Sequence, residues 1–363
     1  MRQMAKFSLR NHLLLLLLAL LLGLLLSSLT EDYLRPKFTN ILLRIQGISE
    51  RIEGRTALDS EGIPQFFVGS TPRAQRNIVT IAHQAQRDWQ VYQESGDETT
   101  RQRFINIADW YVENAMVREG DFVVWEHTYS LPAAATPWVS TLGQGLAIQV
   151  LAQAHQLTDD NIYLETARQA LGSFTHDIAD GGVRIQDDNG GWWYEHFATP
   201  QTTHPSRTLN AMAYSLWALW DYYEYSEDEL AKELFKRGML TLLQHVPEYD
   251  AGVWSYYDAN GTLANPNYHR ENINSLRVLY QITSEPLLLE YSQRWEGYAN
   301  SKLAWVIREF TLEQPFIVRR FLNEQPQEID FAILLCTCLL VWVILELAYG
   351  GIRLTTLWIP TLL

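Results

Sequence analysis

Three short segments of this chain concentrate side chains that can release or accept a proton. They lie at residues 192–197, 256–258 and 268–272 and hold tyrosine, histidine and carboxylate groups. A single such residue at the end of a strand is often only a hydrogen-bonded structural residue. The three segments recur at equivalent points of successive sequence repeats, which favours a shared site for acid–base chemistry.

Other common kinds of site are not indicated. The histidines have neither the paired helical spacing nor the cysteine-linked spacing of a zinc site, so no metal is expected. The chain has no Gly-x-Ser-x-Gly elbow for a serine nucleophile. It also has no phosphate loop and no glycine fingerprint for a dinucleotide, so no cofactor is expected.

Pairs of amphipathic helices alternate with these segments at a period of roughly 65–68 residues. The predicted pairs begin near Pro72, Trp138, Ser206 and Glu271. An acidic turn joins the helices of each pair, at residues 95–98, 158–161, 226–229 and 283–286. Repeats of this kind bury their apolar faces on one another, which gathers the connecting segments at one end. The pattern predicts a mainly α fold, an incomplete α/α toroid of about four helix hairpins with short β-hairpins at the cleft.

Composition narrows the choice of partners. The 363 residues include 13 Trp, 18 Tyr and 13 Phe, which suits either a sugar-binding cleft or an aromatic helical core. A net charge of −14 argues against nucleic acid and against an anionic membrane surface. It also argues against a polyanionic substrate, unless positive groups are focused locally.

The N-terminal region predicts a membrane anchor at residues 1–30. The stretch 13–29 is uncharged and mostly leucine, and it follows Arg2, Lys6 and Arg10. It reaches the minimum length of a span, about 17–20 residues, and the basic flank favours a cytoplasmic N-terminus. A cleaved signal peptide is the alternative, although residues 26–28 make a poor cleavage site.

A second apolar run at residues 331–349 predicts a C-terminal transmembrane helix. Glu346 interrupts it, and its two cysteines, Cys336 and Cys338, diverge on a helix and should not bridge. Two spans would place the segment between them on the non-cytoplasmic side, at a periplasmic or lumenal face. The predicted organisation is an anchor at 1–30, a lead-in at 31–70, a catalytic toroid at 71–300, a helical stem at 301–329, a second span at 330–351 and an apolar tail at 352–363.

Several motifs in order resemble one known family. They lie at residues 190–222, 246–258 and 265–276, with further matches at Gly143-Gln144-Gly145 and at 292–295. Together they are similar to the C-terminal domain of the D-glucuronyl C5-epimerases, over roughly residues 57–298. That family acts on heparosan and heparan sulfate precursors, so the resemblance implies an incomplete α/α toroid and inversion at C5 of a glucuronate within a polysaccharide.

The implied chemistry is demanding. Only the adjacent carboxylate acidifies the C5 proton, and its charge must be neutralised by protonation or by a cation. One group removes the proton and another returns one from the opposite face. A tyrosine, with a pKa of about 10, can do either if its surroundings tune it. The resemblance assigns these roles to Tyr257 and Tyr268, which we expect to face opposite sides of one sugar ring.

The chain departs from the family's pattern at Glu195-His196-Phe197, where the family has Glu-Glu-Tyr. Phe197 has no exchangeable proton, so a mechanism that needs a phenol at this position fails. His196 either takes over the proton transfer or only makes a hydrogen bond. The predicted catalytic residues are therefore Tyr257, Tyr268, His196 and Glu195.

The expected ligand is a uronate-containing polysaccharide, with Arg270 as the preferred partner of its carboxylate. The full set of predicted substrate-binding residues is Arg270, Asn210, Gln144, Tyr194, Trp193, His269, Asn274 and Arg184. A lipid bilayer is the second expected partner, and homodimer formation stays open. Two alternative functions also stay open: a polysaccharide lyase that removes the same C5 proton, and a non-catalytic glycan-binding subunit of an assembly or export system.

Overall fold

The computed structural model describes residues 2–45, 56–67, 74–131, 134–313, 315–323 and 327–358. It divides into two compact units, one formed by Glu50–Asn300 and the other by Met1–Ser49 with Ser301–Leu363. The helices in chain order are α1 (Arg2–Ile45), α2 (Ile78–Ser95), α3 (Glu98–Glu113), α4 (Thr141–Thr158), α5 (Asn161–Thr175), α6 (Leu209–Ser226), α7 (Glu229–His245), α8 (Pro266–Thr283), α9 (Pro286–Asn300), α10 (Lys302–Ile307) and α11 (Glu328–Trp358).

Short strands lie between the helices and pair only with near neighbours. A three-stranded antiparallel sheet is followed by three two-stranded ladders, β4–β5, β6–β7 and β8–β9. The strands are β1 (Thr56–Leu58), β2 (Pro64–Phe67), β3 (Ala74–Gln75), β4 (Met116–Val117), β5 (Val123–Val124), β6 (Glu126–His127), β7 (Trp138–Val139), β8 (Arg184–Gln186) and β9 (Trp192–Tyr194).

The predicted acidic turns join α2 to α3, α4 to α5, α6 to α7 and α8 to α9. In each turn the first helix ends at a left-handed residue, and these are Gly96, Asp159, Glu227 and Ser284. In the first three turns the next aspartate caps the second helix, as when Asp97 accepts a hydrogen bond from the Thr100 amide at 2.8 Å. The turns are short because one residue stops a helix and its neighbour starts the next.

The four hairpins stack as two layers. Helices α2, α4, α6 and α8 pack side by side in that order, and α3, α5 and α7 contact one another outside them. Close approach of α4 to α6 depends on Gly145, since a Cβ there would lie 3.2 Å from Ala218 Cβ and from Ser215 Cα. The predicted incomplete α/α toroid of helix hairpins is confirmed.

Some helices do not begin where the sequence predicts. Helix α2 begins at Ile78 with Asn77 as its cap, whereas a start at residue 72 would fall outside the described residues. Helix α4 begins at Thr141, because Trp138 and Val139 pair with β6 instead. Helix α8 begins at Pro266, earlier than Glu271, because the Asn265 side chain accepts a hydrogen bond from the Tyr268 amide at 2.9 Å.

The predicted β-hairpins form to different extents. Strands β8 and β9 form one such hairpin, pairing across residues 187–191. The region 249–258 forms only isolated bridges, Asp250 with Ser255 and Tyr256 with Leu263.

The terminal unit is an antiparallel pair of long helices, α1 and α11. Helix α1 does not end near residue 30 but continues through Pro36 to Ile45, so the predicted lead-in is partly helical. Contact with α11 supports it there, since Arg35 pairs with Asp330. Helices within Arg10–Thr39 and Glu328–Tyr349 are long and apolar enough to cross a membrane, by length and composition. The stem contains α10 and two π-helical segments, Arg308–Leu312 and Val318–Asn323.

Candidate active site

A cleft of about 760 Å³ opens in the Glu50–Asn300 unit, bordered by residues of α2, α4, α6 and α8 and of the segments before them. Its walls are aromatic and amide-bearing, a surface that suits stacking and hydrogen bonding to sugars. Aromatic residues at its border include Tyr129, Trp138, Tyr214, Trp217, Tyr257 and Tyr268.

Two phenols of the cleft lie against each other. The ring centroids of Tyr257 and Tyr268 are 4.7 Å apart. Burial raises the pKa of Tyr257, and burial and then the charge of Glu271 raise the pKa of Tyr268, so both stay protonated at neutral pH. A sugar ring between the two would need roughly 7–8 Å for its two van der Waals contacts. The two rings therefore contact each other directly, with no gap between them of the size of a sugar ring.

A second group of rings in the cleft centres on Trp138. His127 stacks on the Trp138 ring at 3.8 Å, and Phe197 packs on it at 5.4 Å. The Nδ1 atom of His196 lies 2.9 Å from the Ser140 hydroxyl, which orients the imidazole. Burial lowers the pKa of His196 to about 4, so this side chain is neutral at neutral pH.

Two buried polar side chains at the cleft have atoms without a hydrogen-bond partner in the described part of the chain. Within the described part of the chain, neither ring nitrogen of His127 nor Oδ1 of Asn210 has a partner. Leaving such a group unsatisfied costs about 1–3 kcal/mol. Burial, and then the nearby His196, lower the pKa of His127 to about 3, so it too is neutral. Unpaired buried groups of this kind are common where a ligand completes the site.

Two further cleft residues form a direct pair. The Tyr214 hydroxyl on α6 donates a hydrogen bond to the Glu271 carboxylate on α8. Burial and then this carboxylate raise the pKa of Tyr214. Among the described residues that border the cleft, Glu271 is the only Asp, Glu, Lys or Arg. The cleft thus contains one negative group and lacks the positive group expected for a uronate carboxylate.

Comparison with known proteins places this site in a family. The profile of the D-glucuronyl C5-epimerase C-terminus matches residues 118–297. Residues 118–297 belong to the D-glucuronyl C5-epimerase C-terminal family. This region contributes most of the cleft, including both rings of the Tyr257–Tyr268 contact.

Individual relatives agree with this assignment. A D-glucuronyl C5-epimerase of Caenorhabditis elegans is 34% identical over 55% of this chain and 35% of its own length. An uncharacterized protein of Methanocaldococcus jannaschii is 28% identical over 48% of this chain and 57% of its own length. The chain therefore spans only about a third to somewhat over half of these relatives. A sugar epimerase from a ruminal bacterium shares the fold, with a TM-score of 0.50 and 14% identity over 77% of this chain and 75% of that one.

Within the epimerase-family domain, Glu195 lies beneath the cleft. Its side chain is fully buried and accepts hydrogen bonds from the Ser206 hydroxyl at 2.6 Å and the Arg207 amide at 2.9 Å. A third comes from the Phe197 amide at 3.1 Å. These bonds occupy the carboxylate and hold the segment that carries His196. Glu195 is therefore placed to position the site rather than to meet the sugar.

Four predicted substrate-binding residues are core residues instead. Gln144 exchanges hydrogen bonds with the Trp125 backbone, at 3.2 Å and 3.0 Å. Tyr194 donates to the Leu234 carbonyl at 2.7 Å. Trp193 is fully buried against Tyr249, with parallel rings. His269 is bonded at both ring nitrogens, to Ser255 and to the Trp295 carbonyl.

Three further residues that were predicted to bind substrate lie away from the cleft. Arg270 and Asn274 are exposed and four residues apart, so they share the outward face of α8. Arg184 pairs with Asp177 at 2.7 Å and lies over the Trp192 ring. The cleft thus brings together Tyr257, Tyr268, His196 and Asn210 from the predicted set.

Five residues that border the cleft were not predicted from the sequence: His83, His127, Tyr214, Trp217 and Glu271. A signal for three of them existed. Asn210, Tyr214 and Trp217 are spaced four and three apart on α6, which places them on one helical face. Glu271 likewise follows Tyr268 by three residues on α8.

Proposed function

We propose that this chain is a membrane-tethered epimerase that inverts C5 of D-glucuronate residues to L-iduronate within a heparosan-like polysaccharide. The observation that carries the proposal is the gathering of Tyr257, Tyr268 and His196 at one cleft of an epimerase-family domain. Inversion proceeds by removal of the C5 proton and return of a proton from the other face.

Two clusters in the cleft can supply the two proton-transfer groups. One is the histidine cluster, His127 and His196 with Trp138. The other is the tyrosine cluster, formed by Tyr257 with Tyr268 and by Tyr214 with Glu271. A sugar bound between these clusters would meet neutral imidazole on one side and phenol on the other. This assignment differs from the predicted arrangement of Tyr257 and Tyr268 on opposite sides of the sugar, because these two rings contact each other.

The cleft favours an uncharged form of the substrate acid. With Glu271 negative and no lysine or arginine among the described bordering residues, an ionised uronate would be repelled. Protonation of the substrate carboxylate removes this repulsion and acidifies the C5 proton at the same time. The amide of Asn210, whose Oδ1 has no partner within the described chain, can accept the hydrogen bond of the protonated acid.

The membrane part of the proposal is supported by the two apolar helices, α1 and α11. We place both in a lipid bilayer, with the epimerase-family domain on the non-cytoplasmic side. The basic residues before α1 reaches its apolar stretch support this orientation.

Solvent exchange tests the proposal. The full-length chain in detergent micelles is incubated with heparosan in deuterated water, and deuterium at C5 is measured by NMR. Deuterium at C5 of intact chains is expected. Chain cleavage with an ultraviolet-absorbing unsaturated uronate would instead identify a lyase. Binding of heparosan with no exchange would identify the glycan-binding alternative, which the loss of a phenol at Phe197 favours.

A further inference from the structure

The pair formed by Tyr214 and Glu271 is a second protic site in the cleft. The hydroxyl of Tyr214 donates directly to the Glu271 carboxylate, across from α6 to α8. Both side chains are partly exposed at the cleft. Neither belongs to the motif in which the chain departs from its family, at Glu195-His196-Phe197. The pair therefore offers a phenol and a carboxylate in a cleft where position 197 holds only a phenylalanine.

Tyr214 alone would be a poor base. Burial and the adjacent carboxylate raise its pKa, so a free phenolate is disfavoured at neutral pH. The hydrogen bond removes this difficulty, because the hydroxyl proton already points at an acceptor. A proton arriving on the oxygen can be matched by the departure of the hydroxyl proton to the carboxylate. No phenolate then has to form.

From this geometry we infer that Tyr214 and Glu271 act as a proton relay at the proposed epimerase site. Tyr214 is the catalytic residue that meets the sugar, and Glu271 is the positioning residue that receives the proton through it. The inference rests on the proposed function.

The relay conserves atoms and charge. The C5–H bond breaks and its electron pair stays on the sugar, delocalised into the protonated carboxyl group. The C5 proton bonds to the Tyr214 oxygen while the former hydroxyl proton bonds to Glu271. An imidazole N–H of the histidine cluster delivers a proton to the other face of C5 and is left one proton short. Glu271 then gives its proton to solvent while the imidazole takes one from solvent, which restores the starting state. In the reverse reaction Glu271 starts protonated and the relay runs backwards.

A second tyrosine–carboxylate pair in the same domain provides a matched control. Tyr163 on α5 donates to Asp109 on α3 at 2.6 Å, and burial and then Asp109 raise its pKa in the same way. Neither residue borders the cleft. Removing this pair deletes the same hydrogen bond without touching the proposed site.

The test compares the two pairs by deuterium exchange into C5 of heparosan, using the full-length chain in detergent micelles. Tyr214→Phe and Glu271→Gln are each expected to slow exchange by about 100- to 10,000-fold. The double variant should be no slower than the slower single variant, because one relay is lost in each case. Tyr163→Phe and Asp109→Asn should exchange at the wild-type rate. Thermal unfolding checks that all variants are folded.

Chemical rescue separates proton acceptance from a merely structural role. Added formate should restore part of the exchange in Glu271→Ala and none in Tyr214→Phe, because only the first variant keeps the phenol. Two results would overturn the relay and leave the proposed function standing. One is exchange at the wild-type rate in folded Tyr214→Phe. The other is a double variant whose rate loss equals the product of the losses in the two single variants. No exchange in the unmodified chain would overturn the proposed function and the relay with it.

Discussion

The same chemical pair, a tyrosine with a carboxylate, joins two inner helices in one place and two outer helices in another. Tyr214 and Glu271 join α6 to α8 at the cleft, whereas Tyr163 and Asp109 join α5 to α3. In both pairs burial and the carboxylate raise the pKa of the phenol. A raised pKa therefore does not distinguish a catalytic tyrosine from a structural one here. Access to the cleft does.

A second comparison shows the same principle for histidine. His127 stacks on Trp138 and His269 stacks on Trp254, each at 3.8 Å and 14°. Both imidazoles are almost fully buried. His269 uses both ring nitrogens within the protein, whereas those of His127 have no partner within the described chain. The two stacks are alike in packing and differ only in hydrogen bonding.

The largest effect is expected for a phenol at the cleft. Tyr257→Phe should slow deuterium exchange at C5 by about 100- to 10,000-fold, because it deletes a protic group beside the sugar while keeping the ring contact with Tyr268. Exchange is followed by NMR with Tyr163→Phe as the control. Undiminished exchange in Tyr257→Phe would remove this tyrosine from the proposed mechanism.

A smaller effect should separate the two histidine–tryptophan stacks. His269→Phe leaves the buried Ser255 amide without its acceptor and should cost about 1–3 kcal/mol, in addition to the lost hydrogen bond to the Trp295 carbonyl. His127→Phe keeps the stack and removes two unpaired nitrogens, so stability should be unchanged or higher. Denaturant unfolding measures both. Equal losses in the two variants would show that His127 is a structural residue.

The pH dependence of stability should differ as well. The pKa values of His127 and His196 are lowered to about 3 and about 4, below about 6.5 for an unfolded chain. The unfolded state thus binds more protons between about pH 4 and 6.5, and stability falls as pH falls through this window. His127→Phe removes one of the two contributions. The melting temperature of His127→Phe minus that of wild type should therefore be larger at pH 5 than at pH 7.5. An equal difference at the two pH values would contradict the neutral state of His127.

The smallest effect concerns a turn between an inner and an outer helix. Ser284 ends α8 with a φ of 59°, a conformation that glycine adopts more easily. Ser284→Gly should stabilise the domain by about 0.4–1 kcal/mol, and Gly96→Ser, at the equivalent turn with a φ of 69°, should cost a similar amount. Thermal unfolding measures the stability change of each variant, and the two changes must have opposite signs.

Local signals account for what the sequence predicts well. Acidic turns and helical periodicity are short-range features, so the hairpins and their stacking follow from residues such as Gly96 and Asp97. The site is harder to predict, because the path of each helix decides which of its side chains face the cleft. With α8 starting at Pro266, Tyr268 and Glu271 share the cleft face while Arg270 turns outward. Arg270 was preferred from the sequence because it lies beside Tyr268 in the chain, but adjacent residues of a helix do not share a face.

Long-range contacts explain the remaining differences. Gln144 and Tyr194 are polar enough to suggest a site, yet each is bound to the backbone of a distant segment, Trp125 and Leu234. The pairing of Tyr214 with Glu271 joins residues far apart in the chain. Neither spacing nor composition specifies such partners, because they depend on how neighbouring hairpins pack.

The shortage of positive groups at the cleft affects how an acidic polymer would reach it. The chain carries a net charge of −14, and the described cleft border has no lysine or arginine to offset it. Most proteins bind polyanions less tightly as ionic strength rises, whereas here dissolved ions would screen a repulsion that acts over about 10 Å at 0.1 M salt. Heparosan should thus bind more tightly in moderate salt than in dilute buffer. The proposed membrane tether would compensate for this by raising the local concentration of polymer held at the same membrane.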